Sequence, residues 1–282
     1  MELRRALTAT IHGPQAHFPE WCRYHLSHFD VLLLWADTPE DLAAMRPLAG
    51  KRIMVRQGAQ IQHDSRLTRT LLRQDTNANA ALVECRKRGV DWLAHIDDDE
   101  VFRPLDPLLW HQNADVAQLH FVNHEACPRW VAGNPFETIR HFKRSGRLPF
   151  LLYEGGKSAV RCRGGVGADG PHRFDVSEGT SVLCPGAEIL HYGCCSYEAW
   201  LRKYLNLGSF SDWYLDEFRT PITKRFHLES RNVVQRCLSN WDFRPCEIFF
   251  SQFVWNDGDL QQGRLRGDLL YVPISELAGF VD

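Results

Sequence analysis

Apolar and polar positions change period repeatedly along the first hundred residues, and each change marks an element. Ala6 to Ile11 reads as a strand, closed by His12-Gly13-Pro14. Phe18, Trp21, Cys22, Leu26 and Phe29 then recur at helical spacing, with Pro19 suited to a first helical turn. Val31 to Trp35 is an unbroken apolar run of buried-strand length, ended by Ala36-Asp37-Thr38-Pro39. A short helix from about Glu40 and a strand from Arg52 to Val55 follow. Leu67, Leu71, Ala78, Leu82 and Cys85 form one stripe of a longer helix that Gly89 is placed to end. The strand Asp91 to Ile96 then runs directly into acidic residues. This alternation with short connections predicts an α/β fold, a mostly parallel sheet covered by helices on both faces.

The second half changes character. Val116 to Val122 reads as another strand, and from Asn123 to Gly186 the chain is rich in Gly, Pro, Arg and His. Short strands are expected at Ala159 to Cys162 and Ser181 to Cys184, and helices at Tyr197 to Leu207 and Arg225 to Leu238. Trp200, Trp213, Tyr214 and Phe218 are expected to pack a C-terminal helical layer across the sheet. No internal repeat, low-complexity tract or Pro/Gly/Ser-rich linker divides the chain, so one domain over residues 1–282 is expected.

Composition narrows the classes. A chain of 282 residues can bury a core without disulfides. A net charge of −2 leaves no basic field for a nucleic acid. The longest apolar run, Val31 to Ala36, is too short to span a membrane, and Arg4 and Arg5 lead straight into the first strand, where a signal peptide would need an apolar region. None of the nine cysteines lie at C-x-x-C spacing. They read as scattered buried thiols in a reducing compartment, which makes a cytoplasmic location the expectation.

The sharpest chemical feature is Ile96-Asp97-Asp98-Asp99-Glu100. Adjacent carboxylates at the end of an apolar strand are costly unless a cation balances them. Ligands of open α/β sheets bind beyond the carboxyl ends of strands, where these acids fall. Strand alternation puts Asp97 and Asp99 on one side if the strand continues through them. Two such carboxylates suit Mg²⁺ or Mn²⁺, with diphosphate oxygens completing the shell. Gly156-Lys157-Ser158 is not a P-loop: the first glycine of that motif would fall at Leu151, and the residues after Ser158 read as a strand.

Trp92 to Glu100 resembles the D-x-D segment of GT-A glycosyltransferases, in particular family 92 and family-2-like enzymes, although Val101 precedes Phe102 where the pattern has the aromatic directly after the Glu. His17-Phe18-Pro-Glu-Trp-Cys-Arg-Tyr-His25, with its Glu-Trp and Tyr-His pairs, is similar to the opening of their first helix. Gln74 and Asn77, Gly156 to Arg161, Gly170-Pro-His172, Ile189-Leu-His191-Tyr192 and Tyr197 to Lys203 resemble further landmarks in the same order, over roughly residues 6 to 205.

The resemblance implies a GT-A fold, with residues 1–122 as the nucleotide-sugar half and 123–282 as the acceptor half. It implies a metal at Asp97, Asp99 and His191, and donor contacts from Asp37, Asp97, Asp98, Gln74, Asn77, Lys157 and Arg161. The implied ligands are Mn²⁺ or Mg²⁺, a nucleotide-diphosphate sugar with UDP favoured, and a saccharide or glycoconjugate acceptor. Asp169, Glu188 and His172 are the candidates for a base that deprotonates the acceptor hydroxyl. Aromatic residues of the loops 123–150 and 163–179 either form a sugar platform or pack those loops down. The competing classes are a nucleotidyltransferase or phosphohydrolase using the same acids, and an inactive saccharide-binding relative of the GT-A fold. His12 to His17 makes a poor phosphate cradle for the nucleotidyltransferase.

Overall fold

The computed structural model describes residues 3–210 and 221–280. In its first half β1 (Arg5–Ile11), α1 (Phe18–Leu26), β2 (Val31–Ala36), α2 (Pro39–Met45), β3 (Ile53–Gln57), α3 (Arg66–Arg88) and β4 (Trp92–His95) follow one another. The four strands run parallel in the order β3-β2-β1-β4. Their apolar residues divide by parity. Leu7, Ala9, Ile11, Leu32 and Leu34 share a core with Phe18 and Trp21 of α1, while Ala6, Val31, Leu33 and Trp35 pack against Ala81, Leu82 and Cys85 of α3. Both faces are therefore covered, which is why β2 is apolar throughout. Gly89 ends α3 in the left-handed conformation, at φ 62°.

The chain continues through β5 (Glu100–Pro104), β6 (Val116–Ala126), α4 (Pro135–Thr138), β7 (His141–Arg144), β8 (Lys157–Arg161), the hairpin β9 (Val166–Asp169) and β10 (Arg173–Val176), and β11 (Thr180–His191). Helices α5 (Tyr197–Leu207), α6 (Pro221–Asn240), α7 (Arg244–Ser251) and α8 (Asp257–Leu265), the edge strand β12 (Leu269–Tyr271) and a 3₁₀ segment (Ile274–Phe280) complete the described residues. Antiparallel β8 joins β4 to β6, so the sheet reads β12-β7-β6-β8-β4-β1-β2-β3. Such a mixed α/β sheet flanked by helices is the Rossmann-like GT-A arrangement expected. β6 and β11 are longer than their sequences suggest. They pair in parallel across a bulge between Leu183 and Glu188, and the polar Asn123, His124 and Glu125 of β6 are buried rather than looped out.

The C-terminal layer has its own core, in which Trp200 and Tyr204 of α5 meet Phe226 and Val234 of α6 and Phe250 of α7. Trp213, Tyr214 and Phe218 lie outside the described residues. All nine cysteines are free thiols, and all but Cys162 are buried. Among the described residues, no helix is long and apolar enough to cross a membrane.

Three side chains of α1 hold β5 from one face. The Trp21 indole donates to the Glu100 carbonyl at 2.7 Å, and the Tyr24 hydroxyl donates to the Phe102 carbonyl at 3.1 Å. His25 accepts from the Phe102 amide at 3.2 Å through Nε2, and its Nδ1 donates to the Trp21 carbonyl at 2.8 Å. The i, i+3, i+4 spacing of Trp21, Tyr24 and His25 places all three on one face. Trp21 and the Tyr-His pair are thus the clamp for the strand that follows the acids.

Burial holds the His25 imidazole neutral, with its pKa lowered to about 3. Below pH 6.5 the unfolded chain takes up a proton there that the folded chain refuses, so His25 weakens stability as pH falls. The expected loss is about 1.4 kcal/mol per pH unit between 6.5 and 3. Urea midpoints at pH 7 and pH 5 should fall less steeply in His25→Gln than in the unaltered protein. Equal slopes would contradict the assignment.

Candidate active site

β4 stops at His95, and Asp97 to Asp99 form a turn rather than a continued strand, because the Glu100 amide bonds back to the Asp97 carbonyl at 3.2 Å. All three aspartates still line one cleft of about 430 Å³. It opens beyond the C-terminal ends of β1, β2 and β4, with Thr10, His12 and Asp37 on its walls.

The crowded carboxylates of Asp97 and Glu100 are reconciled by a shared lysine, with Gln74 and Tyr153 as further donors. Asp97 accepts from Gln74 Nε2 at 2.7 Å on one oxygen and from Lys157 Nζ at 2.6 Å on the other. Glu100, fully buried, accepts from the Asp97 amide at 2.8 Å and from the Tyr153 hydroxyl, and lies 3.4 Å from Lys157. Burial opposes ionisation of Asp97, but the Lys157 ammonium outweighs it and holds the carboxyl below its usual range. Burial and Asp97 together push Glu100 the other way, up. Burial is likewise outweighed at Lys157, whose pKa is raised by Asp97 and Glu100. Lys157 therefore lies beneath the acids and anchors Asp97, and it is not on the cleft wall. Asp98 faces the cleft, and burial together with its neighbours Asp99 and Asp97 pushes its pKa up to about 7.

β11 brings the other half of the centre. Its antiparallel register with β5 sets His191 opposite Glu100, and the Tyr192 amide donates to the Asp99 carbonyl at 2.7 Å. His191 Nε2 then lies 3.6 Å from Asp99 Oδ2, and Lys203 Nζ of α5 lies 3.6 Å from the same oxygen. His191 Nδ1 is buried with no hydrogen-bond partner among the described residues, so the polar connection of the ring is through Nε2, toward Asp99. Burial opposes charge on Asp99, yet Lys203 and His191 hold its pKa far below the carboxylate range. Gly193 leaves this space open: a Cβ there would fall 2.6 Å from His191 Nε2 and 2.8 Å from Asp99 Oδ2.

The far end of the cleft is built around Asp37 at the tip of β2. Its carboxylate accepts from Arg73 at 2.7 Å and pairs with His12 at 3.2 Å. Burial works against its charge, but these two partners keep its pKa low. Asn77, one turn after Arg73 on α3, donates to Thr10 Oγ1 at 3.0 Å and accepts from the Ala59 amide at 2.8 Å. It fixes the loop after β3 behind the cleft.

Other candidates are not brought together here. Arg161 lies at the opposite end of β8 from Lys157, over the Trp92 ring, and donates to the carbonyls of Val116 and Gln112. Glu188 is paired with Arg103 at 2.7 Å and His124 at 3.2 Å. Asp169 is exposed on β9. His172 packs behind Tyr153, bonded to the Gly156 carbonyl at 3.1 Å, with burial and Lys157 holding it neutral. Of the loop aromatics, Phe136 lines the cleft, Phe142 is core, and Trp130 stacks near Tyr197 and Phe250.

Sequence reasoning passed over Tyr153, Arg202 and Lys203 as site residues. The last two had a signal: Ala199, Arg202, Lys203 and Asn206 form one i, i+3, i+4, i+7 face of α5, and all four line the cleft.

Among the described residues, no three His, Cys, Asp or Glu side chains form a ready metal cage. Asp97 has both oxygens engaged, which leaves Asp99 and His191 as two convergent donors with open space between them. Carboxylate oxygen and imidazole nitrogen are donors that Mn²⁺ accepts, and two protein ligands are enough where substrate phosphates supply the rest. The residues fit a substrate-completed divalent cation.

No family model matches the chain. It is similar to Glycosyltransferase-like At2g41451 of Arabidopsis thaliana, 30% identical over 43% of this chain and 33% of that protein. It is also similar to Glycosyltransferase-like At3g57200 of the same organism, 27% identical over 43% of this chain and 29% of that protein. The chain thus spans about a third of the length of these relatives.

Proposed function

We propose that this protein is a glycosyltransferase that moves a sugar from a nucleotide-diphosphate sugar, UDP-linked in preference, to a hydroxyl of a saccharide or glycoconjugate. The observation that carries the reading is the pairing of Asp99 with His191 across the gap left by Gly193, at the strand ends of a GT-A sheet. The names of the two Arabidopsis relatives support the same class.

Asp99 and His191 would hold Mn²⁺ or Mg²⁺, which when bound supplies positive charge to the departing diphosphate. Lys203 adds a second positive charge from the chain itself. Burial works against its ammonium, but Asp99 raises its pKa and keeps it protonated. Asp97, fixed by Gln74 and Lys157, presents a rigid anionic edge toward the donor ribose. Asp37, oriented by Arg73 and His12, is placed to accept from the ribose or base.

The reading is tested by incubating the protein with UDP-, GDP-, CDP- and dTDP-sugars together with a panel of neutral and anionic mono- and oligosaccharide acceptors, and measuring release of the nucleoside diphosphate. Release with Mn²⁺ is expected, abolished by EDTA and restored by excess Mn²⁺. No release from any donor under any metal would overturn it.

A further inference from the structure

Three guanidinium groups line the cleft, and two of them, Arg66 and Arg69, have no counter-ion among the described residues, while Arg202 feels the charge of Asp98. Arg66 and Arg69 of α3 and Arg202 of α5 all line it, and none of their side chains makes a hydrogen bond or ion pair with a described residue. Two of them occupy a place where the local chemistry is adverse. Arg66 and Arg69 are in the first turn of α3, beside the positive end of the helix dipole, and that turn holds no acidic residue. They also sit three residues apart on one face, where like charges repel. A local rule broken twice at the rim of a cleft marks a place where something outside the chain supplies the missing charge.

The geometry separates Arg66 from the donor end. Gln74, which touches Asp97, is eight residues along α3 from Arg66, a rise of about 12 Å. The Arg66 side chain points the other way, toward the end of α5: a Cβ on Gly208 would lie 3.4 Å from its Nη1. Phosphates held at Asp99 already have Lys203 beside them. Arg66 thus lies at the end of α3 away from Asp97 and next to the end of α5.

We propose that the acceptor is an anionic saccharide, whose phosphate or carboxylate is held by Arg66 and Arg69 with Arg202 on the opposite wall. This rests on the glycosyltransferase reading above and specifies its second substrate. Guanidinium forks match the oxygen spacing of both groups, which makes either one a fitting ligand.

Calorimetry on the full chain, presaturated with UDP and Mn²⁺, tests it with glucose 6-phosphate, glucuronate and glucose as probes. Binding of at least one anionic sugar is expected to be tenfold or more tighter than that of glucose. The preference should disappear in Arg66→Gln/Arg69→Gln, while UDP affinity stays within twofold. The phosphate and carboxylate arms show which oxyanion is preferred. Equal affinity for all three sugars would overturn the acceptor assignment and leave the donor site standing. Loss of UDP affinity in the double variant would overturn it by assigning the arginines to the donor. Failure of the unaltered protein to bind UDP would overturn the donor reading and the acceptor assignment with it.

Discussion

Replacing Lys157 by methionine is expected to cost about 3–5 kcal/mol of stability, the penalty for leaving a buried carboxylate without its counter-charge. Lys157 is fully buried, and its ammonium sits between Asp97 at 2.6 Å and Glu100 at 3.4 Å, with a further bond to the Pro171 carbonyl at 3.1 Å. Methionine fills similar volume, so packing is little changed and the charge is what is lost. The buried Glu100 and the half-buried Asp97 would then face each other without the cation, and one would have to take up a proton. Urea midpoints of Lys157→Met and the unaltered protein measure the cost. The difference should shrink at pH 4, where protonation relieves the repulsion. A loss under about 1 kcal/mol at pH 7 would show that the pair does not depend on this lysine.

Gly193→Ala is the second large effect, and it falls on activity. The φ of Gly193 lies outside the left-handed region, so backbone strain does not demand a glycine there. The space does. An alanine Cβ would lie 2.6 Å from His191 Nε2, 2.8 Å from Asp99 Oδ2 and 2.8 Å from Leu152 Cδ1, inside the gap assigned to the cation. Release of nucleoside diphosphate should fall at least about 100-fold, equivalent to about 2.7 kcal/mol of barrier. The circular dichroism spectrum should stay that of the unaltered protein. Activity within threefold would contradict the placement of the metal between these two residues.

Much of the fold was legible because its signals are local. The unbroken apolar run of β2, the stripe of α3 and the left-handed Gly89 each follow from short-range chemistry. The acid run pointed to the cleft that Asp97 to Asp99 line, and His191 lies beside Asp99 in it. The rest was set by distant pairing. Lys157 and Arg161 share a five-residue strand, and nothing in Gly-Lys-Ser-Ala-Val-Arg says that one end meets the acids and the other meets Trp92. Antiparallel pairing with β4 decides it. Glu188 sits near His191 in sequence, but β11 carries it to Arg103 and His124. Tyr153 comes from a segment with no periodicity. It is positioned because the buried Glu125 carboxylate accepts from the Leu151 and Leu152 amides while paired to Lys143 at 2.8 Å. The basic face of α5 was readable, since its spacing is helical.

The central claim is that Asp99 and His191 form a cation site completed by a nucleoside diphosphate. Calorimetric titration with UDP, with and without Mn²⁺, in the unaltered protein and in Asp99→Ala, tests it most directly. The account predicts UDP binding that requires Mn²⁺ and disappears in a folded Asp99→Ala. Binding of equal affinity without metal, or binding undiminished in the variant, would contradict it.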